Sequence, residues 1–355
     1  MREGITVVKI GIVGIGFMGS IHYYASKKVS GGQVVAICTR DQKKREGDWT
    51  GIQGNFGPRG GFEDLSHIRK YDAIDNLLAD PDVDLIDICL PTHLHKAVSI
   101  AALEAGKHVL VEKPISVKLD DANEMVQIAG RSGRCFMVAH ILPFFAEFAY
   151  AKDIVESGEH GNLIGGHFKR VISEPNWSDD FVDLEKSGGP GIDLHIHDTH
   201  YIQLLCGTPD AVFSQGTLAG GGFAQYLTTQ YIYDDRALAI SCSSGAVSQE
   251  GRAFSHGFEF YLENATLLYE FATLGGEPVT STPLTLLTGD GNVHSVNLGE
   301  TDPVDAFTQE IQSAVDAIVE GRESAILSGV SARDALLLCH KETESIKTGE
   351  IVTIN

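Results

Sequence analysis

The stretch VVKIGIVGIGFMGSIHYYAS, residues 7–26, combines an apolar strand, a glycine-rich turn and the start of a helix. Its glycines Gly14, Gly16 and Gly19 have the spacing G-x-G-x-x-G. After a strand, the first glycine permits a tight turn, the second lets a pyrophosphate approach the backbone, and the third allows close packing of helix on strand. The helix N-terminus offers its N–H groups to phosphate. The stretch therefore predicts dinucleotide binding, although a glycine turn that binds no nucleotide has the same spacing.

The rest of the chain shows two different patterns of polar and apolar residues. Apolar runs such as QVVAICTR, VDLIDICLP and KHVLVEKP alternate with helical stretches, as in βαβ units whose parallel sheet is covered on both faces. From residue 163 onwards, longer runs alternate polar and apolar residues and are joined by hairpin-like turns, which indicates an antiparallel sheet with one covered face. We therefore predict an α/β fold with a dinucleotide-binding domain in 1–138 and a second domain in 139–355, whose last helices can pack back on the first.

The composition favours an enzyme of small molecules. Lys and Arg number 27 against 48 Asp and Glu, a formal charge of −21 that repels nucleic acid and anionic membranes. The first apolar run is broken by Lys9 and by glycines, so neither a signal peptide nor a membrane span is predicted. The six cysteines form no CxxC pair, as expected of reduced, buried thiols. We expect a cytoplasmic protein without nucleic-acid or membrane partners.

The end of the second predicted strand bears on the choice of dinucleotide. An acid about 20 residues beyond the glycines grips the ribose 2′-hydroxyl of NAD. Thr39 stands at that place, and Arg40 is suited to a 2′-phosphate, with a basic run following it. Asp41 is an acid close to that position, so NAD is not excluded. The basic run is also compatible with a solvated helix face. The pattern tilts the choice towards NADP.

The segment KHVLVEKPIS, residues 107–116, ends a predicted parallel strand at Glu112, Lys113 and Pro114. Ligands of open α/β sheets bind at the carboxyl ends of the strands. A lysine held there beside a cofactor can donate or accept a proton, whereas a lone lysine before a proline is more often a surface turn.

A third cluster, GGPGIDLHIHDTHYIQLL (188–205), is open to two interpretations. As a strand, it sends His195 and His197 to one face, as in metal-binding hydrolases. As a helix, it aligns Asp193, His197 and His200 on one stripe and turns His195 away. The glycines before it and Gly207 after it favour the helix, and we predict no bound metal.

Four motifs in order, GIGFMG, ICLPTHLH (88–95), VEKP (111–114) and GGPGIDLHIHDTHYIQLLCGTP (188–209), resemble the Gfo/Idh/MocA family. The resemblance implies an N-terminal Rossmann doubly wound parallel sheet and a C-terminal α/β domain on an open, mainly antiparallel sheet, through which members form homodimers or homotetramers. It also implies hydride transfer between NAD or NADP and a hydroxyl or carbonyl of a sugar, cyclitol or related polyol.

By the same resemblance, the proton-transfer group is Lys113, Asp193 and His197. The cofactor-binding residues that the motifs imply are Gly14, Gly16, Phe17, Met18, Gly19, Thr39, Arg40, Leu90, Pro91, Thr92, His95, Glu112 and Lys113. The implied substrate contacts are Lys113, His140, Asp193, His197 and His200. Many members have an arginine just before a Phe-Phe pair, but Leu142 and Pro143 stand here, so we do not expect a substrate held by that arginine.

Three alternatives stay open at this point. The chain can be an enzyme that retains NAD as a transient oxidant for elimination, glycoside cleavage or epimerisation of a sugar. It can be a cofactor-binding regulator without chemistry, although such a protein has no need of Lys113, Asp193 and His197 together. The third alternative is a metal-dependent hydrolase.

Overall fold

The computed structural model describes residues 7–54, 56–174, 183–235, 237–300 and 302–354. The chain divides into two compact units. The first comprises Met1–Phe145 and Thr301–Arg333, and the second comprises Ala146–Glu300 and Asp334–Asn355.

The first unit is built on a six-stranded parallel sheet with the strand order β3-β2-β1-β4-β5-β6. The strands are β1 Val8–Val13, β2 Gly32–Cys38, β3 Arg69–Tyr71, β4 Leu85–Ile88, β5 His108–Glu112 and β6 Phe136–Ala139. Every residue of β4, β5 and β6 is buried, as the continuous apolar runs require of a sheet covered on both faces. The predicted doubly wound parallel sheet is confirmed.

Helices cover this sheet, and the glycine turn leads directly into the first of them. They are α1 Phe17–Ser26, α2 Gln42–Arg45, α3 Ile74–Leu78, α4 His95–Glu104 and α5 Leu119–Ser132. A later helix, numbered α9 in chain order (Pro303–Glu320), belongs to the same unit and packs against α1, where Thr308 donates to the carbonyl of Ala25. Asp302 caps α9 and Pro303 occupies its first turn, so the sequence itself marks where this helix begins.

The second unit is built on a nine-stranded, mainly antiparallel sheet with the order β14-β13-β12-β11-β7-β10-β9-β8-β15, in which β7 and β10 form a parallel pair. Its strands are β7 Leu163–Ser173, β8 Ala211–Leu218, β9 Ala224–Ile232, β10 Ala239–Val247, β11 Arg252–Leu262, β12 Ala265–Leu274, β13 Glu277–Thr288, β14 Val293–Ser295 and β15 Val352–Thr353. Asp234–Asp235 and Glu263–Asn264 turn between neighbouring strands, as predicted.

The helices of the second unit are α6 Ala146–Ser157, α7 Leu184–Ser187, α8 Ile196–Cys206 and the last helix, α10, Gly329–Thr348, which begins in the first unit. A π-helical turn, Pro190–Leu194, leads into α8. The described residues form no helix that is both long and apolar enough to cross a membrane.

Candidate functional site

The glycine turn has the geometry of a phosphate cradle. Gly14 adopts a φ of +93°, in the region that favours glycine, and a Cβ on Gly19 would lie 1.9 Å from the carbonyl oxygen of Gly14. A Cβ on Gly16 would meet nothing within 4 Å. Gly16 is the N-cap of α1, and no side chain caps that helix. Gly14 and Gly19 are therefore required for steric reasons within the protein. Gly16 instead leaves an open space in front of the N–H groups at the start of α1, and this space fits a pyrophosphate.

Phe17 and Met18 form the first turn of α1, and both are half-buried. The ring of Phe17 lies 4.8 Å from that of Phe56, and a Cβ on Gly54 would overlap it. Gly54 and Phe56 thus lie against the start of α1.

The residues that follow β2 make different contacts. The Asp41 carboxylate accepts a hydrogen bond from the backbone N–H of Lys44 at 3.2 Å and caps α2. Arg45 donates to the Thr39 carbonyl at 2.6 Å. Arg40 is exposed. The acid that favours NAD is therefore engaged as a helix cap, while Arg40 faces solvent.

The segment after β4 and the turn after β5 lie at the same edge of the sheet, because β1, β4 and β5 are parallel. Leu90, Pro91 and Thr92 are accessible, but His95 is fully buried. The His95 ring lies 2.8 Å from the Leu90 carbonyl and 2.9 Å from the Pro114 carbonyl. Burial lowers the pKa of His95, and the hydrogen bonds to the Leu90 and Pro114 carbonyls oppose that effect. The buried His95 side chain therefore links the segment after β4 to the turn after β5.

Glu112 and Lys113 close β5 at this edge. Lys113 is half-buried, and its backbone N–H donates to Glu112 Oε2 at 3.1 Å. The other oxygen, Oε1, lies 3.1 Å from Nε2 of His22 on α1, and Nδ1 of His22 lies 2.9 Å from Asp87 on β4.

His22 and Asp87 belong to none of the functional motifs recognised in the sequence. Two signals were present: a histidine three residues after the last glycine of the motif, and an acid within the apolar strand LIDI. Both positions predict a buried polar group, which requires a partner.

In the second unit, the helical interpretation of residues 193–205 is confirmed. The His195 N–H bonds to the Pro190 carbonyl, five residues back, so the chain passes from a π turn into α8. Asp193 and His197 are four residues apart on this path, and both are half-buried while their neighbours are buried. The two side chains thus share the accessible side of the helical path. π turns are frequent at functional sites.

The opposite side of α8 is anchored by buried charges. Asp198 accepts two hydrogen bonds from Arg170 of β7, at 2.6 and 3.2 Å. His195 Nε2 lies 2.9 Å from Glu342 of α10, and both side chains are fully buried. Burial alone lowers the pKa of His195, but the charge of Glu342 and its hydrogen bond raise it above its ordinary value. These pairs fix the rotation of the helix and hence the direction of Asp193 and His197.

His195 therefore faces away from His197, as the helical interpretation predicts and the strand interpretation does not. Within the described part of the chain, the three groups close enough to hold a metal are His22, Asp87 and Cys89 instead.

The remaining predicted substrate contacts are buried. His140 follows β6 in the first unit, and His200 lies on α8 in the second. Lys113 also belongs to the first unit, whereas Asp193 and His197 belong to the second. Trp177, a loop residue noted in the sequence, lies outside the described residues.

Known proteins resemble both units. The family model "Oxidoreductase family, NAD-binding Rossmann fold" matches residues 8–140, and the model "GFO/IDH/MocA C-terminal domain" matches residues 148–268. Myo-inositol 2-dehydrogenase of Thermotoga maritima is 24% identical over 97% of this chain and 100% of that protein. An uncharacterized oxidoreductase of Streptococcus pneumoniae is 28% identical, but the match spans 61% of this chain and only 54% of that protein.

A solved structure of levoglucosan dehydrogenase in complex with NADH and levoglucosan superimposes with a TM-score of 0.77 at 18% identity, covering 98% of this chain and 99% of that one. Because the two family models together match most of the sequence, one in each unit, the chain belongs to the Gfo/Idh/MocA family of oxidoreductases with an NAD-binding Rossmann fold.

Proposed function

We propose that this protein catalyses reversible hydride transfer between a nicotinamide dinucleotide and a hydroxyl or carbonyl group of a sugar, cyclitol or related polyol. The observation that carries the proposal is the carboxyl edge of the parallel sheet, where the open cradle at Gly16 follows β1 and the half-buried Lys113 follows β5, on either side of β4. That edge is where doubly wound folds bind dinucleotides.

The dinucleotide, when bound, supplies the hydride acceptor or donor. The residues of this chain handle the proton of the reacting hydroxyl. One of the pair Lys113 and His197 takes that proton from the substrate oxygen during oxidation and returns it during reduction, while the other polarises the same oxygen. Asp193, one helical turn before His197, orients its imidazole and stabilises its charged form. The accessible Leu90, Pro91 and Thr92 line the cofactor, whereas His140 and His200 are buried, so their assignment as substrate contacts rests on the resemblance alone.

We assign the cofactor as NADP in preference to NAD. Asp41 caps α2 through one carboxylate oxygen, and Thr39 stands at the position where an acid would meet the ribose of NAD. Arg40 is exposed at the strand end and is suited to a 2′-phosphate.

The substrate class that we favour is a neutral sugar or polyol. The formal charge of −21 repels anions, and Leu142 and Pro143 stand where many family members have an arginine. Relatives named for inositol and levoglucosan act on neutral compounds of this kind. A cytoplasmic location and a homodimer or homotetramer through the nine-stranded sheet remain predictions.

The test is nicotinamide absorbance while a panel of sugars and cyclitols is offered with NAD⁺ and NADP⁺ separately. The proposal expects reduction of the cofactor with at least one neutral sugar, faster with NADP⁺. Product formed without released reduced cofactor would support the NAD-retaining alternative instead. Binding of cofactor with no turnover across the panel would support the regulator, and metal analysis with a hydrolysis assay would identify the hydrolase.

A further inference from the structure

A buried cluster of one imidazole and three carboxyl groups lies in the first unit, under the carboxyl edge of its sheet. His22 comes from α1, Asp87 from β4, Glu112 from β5 and Glu310 from α9. Their relative exposures are 0%, 1%, 8% and 0%. The two ring nitrogens of His22 face different carboxylates, Asp87 at 2.9 Å and Glu112 at 3.1 Å. Glu310 Oε2 lies 4.0 Å from Nε2.

The protons in this cluster follow from its contacts. A neutral imidazole has one N–H, whereas two flanking carboxylates each require a donor. His22 is therefore an imidazolium that donates to both. Although burial lowers the pKa of His22, the charge of Asp87 and its hydrogen bond raise it well above its ordinary value.

Glu310 is the neutral member. Neither of its oxygens has a hydrogen-bond partner among the described residues. Burial raises the pKa of Glu310 well above its ordinary value, and the neighbouring Glu112 and Asp87 add to that rise. The cluster thus contains two carboxylates, one imidazolium and one carboxylic acid, and it has one net negative charge.

This negative charge lies under one half of the dinucleotide site. The residues that meet the ribose of the adenosine half follow β2, on one side of β1, so the nicotinamide half extends over β4 and β5 on the other side. Glu112 ends β5 and is the most exposed member of the cluster. Its carboxylate is held from below by His22 and at the turn by the N–H of Lys113.

We propose that His22 is a positioning residue for the cofactor, which holds Glu112 as an anion near the nicotinamide and so makes the protein bind the oxidised dinucleotide more tightly than the reduced one. The oxidised ring carries a positive charge that the reduced ring lacks, and only the charged ring gains from a nearby anion. The inference rests on the dinucleotide site of the proposed function, but it needs no substrate.

The test is the ratio of the dissociation constants of reduced and oxidised dinucleotide, measured by titration of the full-length protein with NADPH and NADP⁺ and with NADH and NAD⁺. Glu112→Gln removes the charge but keeps the shape of the side chain. We expect it to lower the ratio by about tenfold, the size of a single charge interaction near a protein surface. Glu104→Gln makes the same chemical change on the exposed side of α4 and leaves the ratio as in the wild type.

His22→Gln tests the positioning role through pH. Without the imidazolium, the Glu112 carboxylate loses its cationic partner but remains near the Asp87 carboxylate. Among the described residues, the other titratable groups near the cluster are Cys89, whose pKa burial raises, His95, whose pKa burial lowers, and Lys113, which directly follows Glu112. We expect the ratio to stay constant between about pH 6 and about pH 8 in the wild type, and to fall with decreasing pH in His22→Gln.

Circular dichroism checks that both variants fold. If His22→Gln does not fold, the result for Glu112→Gln decides the inference. A wild-type ratio in Glu112→Gln, or a flat pH profile with a wild-type ratio in folded His22→Gln, would overturn it. A wild type that binds no dinucleotide would refute the proposed function as well, so the two failures are distinguishable.

Discussion

Three glycines of the first unit allow the steric role of the turn to be separated from its role in binding. In Gly19→Ala the new Cβ would lie 1.9 Å from the Gly14 carbonyl oxygen, against about 3.4 Å for an ordinary contact, so backbone must move by more than 1 Å. In Gly16→Ala the new Cβ meets nothing of the protein within 4 Å but enters the cradle. Gly130→Ala, in the interior of α5, is the matched control, since its Cβ also meets nothing.

The magnitudes differ accordingly. Overpacking against backbone costs about 1–3 kcal/mol, so Gly19→Ala lowers the free energy of unfolding by that amount and weakens dinucleotide binding too. Gly16→Ala changes stability by less than about 1 kcal/mol but weakens dinucleotide binding by about tenfold or more, because phosphate hydrogen bonds to the helix N-terminus are lost. Gly130→Ala stabilises by about 0.5–1 kcal/mol and leaves binding unchanged.

Urea denaturation without cofactor and dinucleotide titration measure the two quantities on the same preparations. Equal destabilisation by Gly16→Ala and Gly19→Ala would refute the distinction between a structural and a binding glycine. Wild-type affinity in folded Gly16→Ala would show that the cradle does not hold the pyrophosphate.

Three further changes probe other parts of the account. Asp198→Asn leaves the buried Arg170 unpaired, and we expect a loss of about 3–5 kcal/mol in urea denaturation, with a smaller loss when both residues are replaced by leucine; equal losses would contradict the pairing. Arg40→Ser should weaken NADPH binding by about tenfold and leave NADH binding unchanged in titrations, and an equal loss for both would exclude a 2′-phosphate contact.

His108 gives a pH dependence: burial first, and then the charge of Arg134, lower its pKa to about 4. Because the unfolded histidine takes up a proton at a higher pH, this term lowers stability as the pH falls from about 6.5 to about 4, by at most about 3 kcal/mol. His108→Gln should reduce the acid-side loss of stability, and an unchanged slope would contradict the assignment.

The sequence predicts the first unit well because its signals are local. The spacing of Gly14, Gly16 and Gly19 after an apolar strand determines the turn, and the structure gives each glycine the predicted geometry. The helical stripe of Asp193 and His197 is predicted for the same reason, since i and i+4 spacing needs no knowledge of distant residues.

The parts that the sequence did not reveal depend on long-range pairs. Glu112 is held by His22, which is 90 residues away in the chain, and α8 is anchored through Arg170, which is 28 residues from Asp198. His195 pairs with Glu342 on the last helix. A buried polar residue in an apolar element predicts that a partner exists, but only the fold identifies that partner.

Turnover of Lys113→Met and His197→Asn, with the sugar that the wild type oxidises fastest, tests the central claim most directly. Each variant should lower kcat by about 10²–10⁴ if its side chain transfers the proton. His197→Asn should bind dinucleotide like the wild type, because His197 is not among the predicted cofactor contacts. Wild-type kcat in both variants would contradict the claim that these residues perform the chemistry.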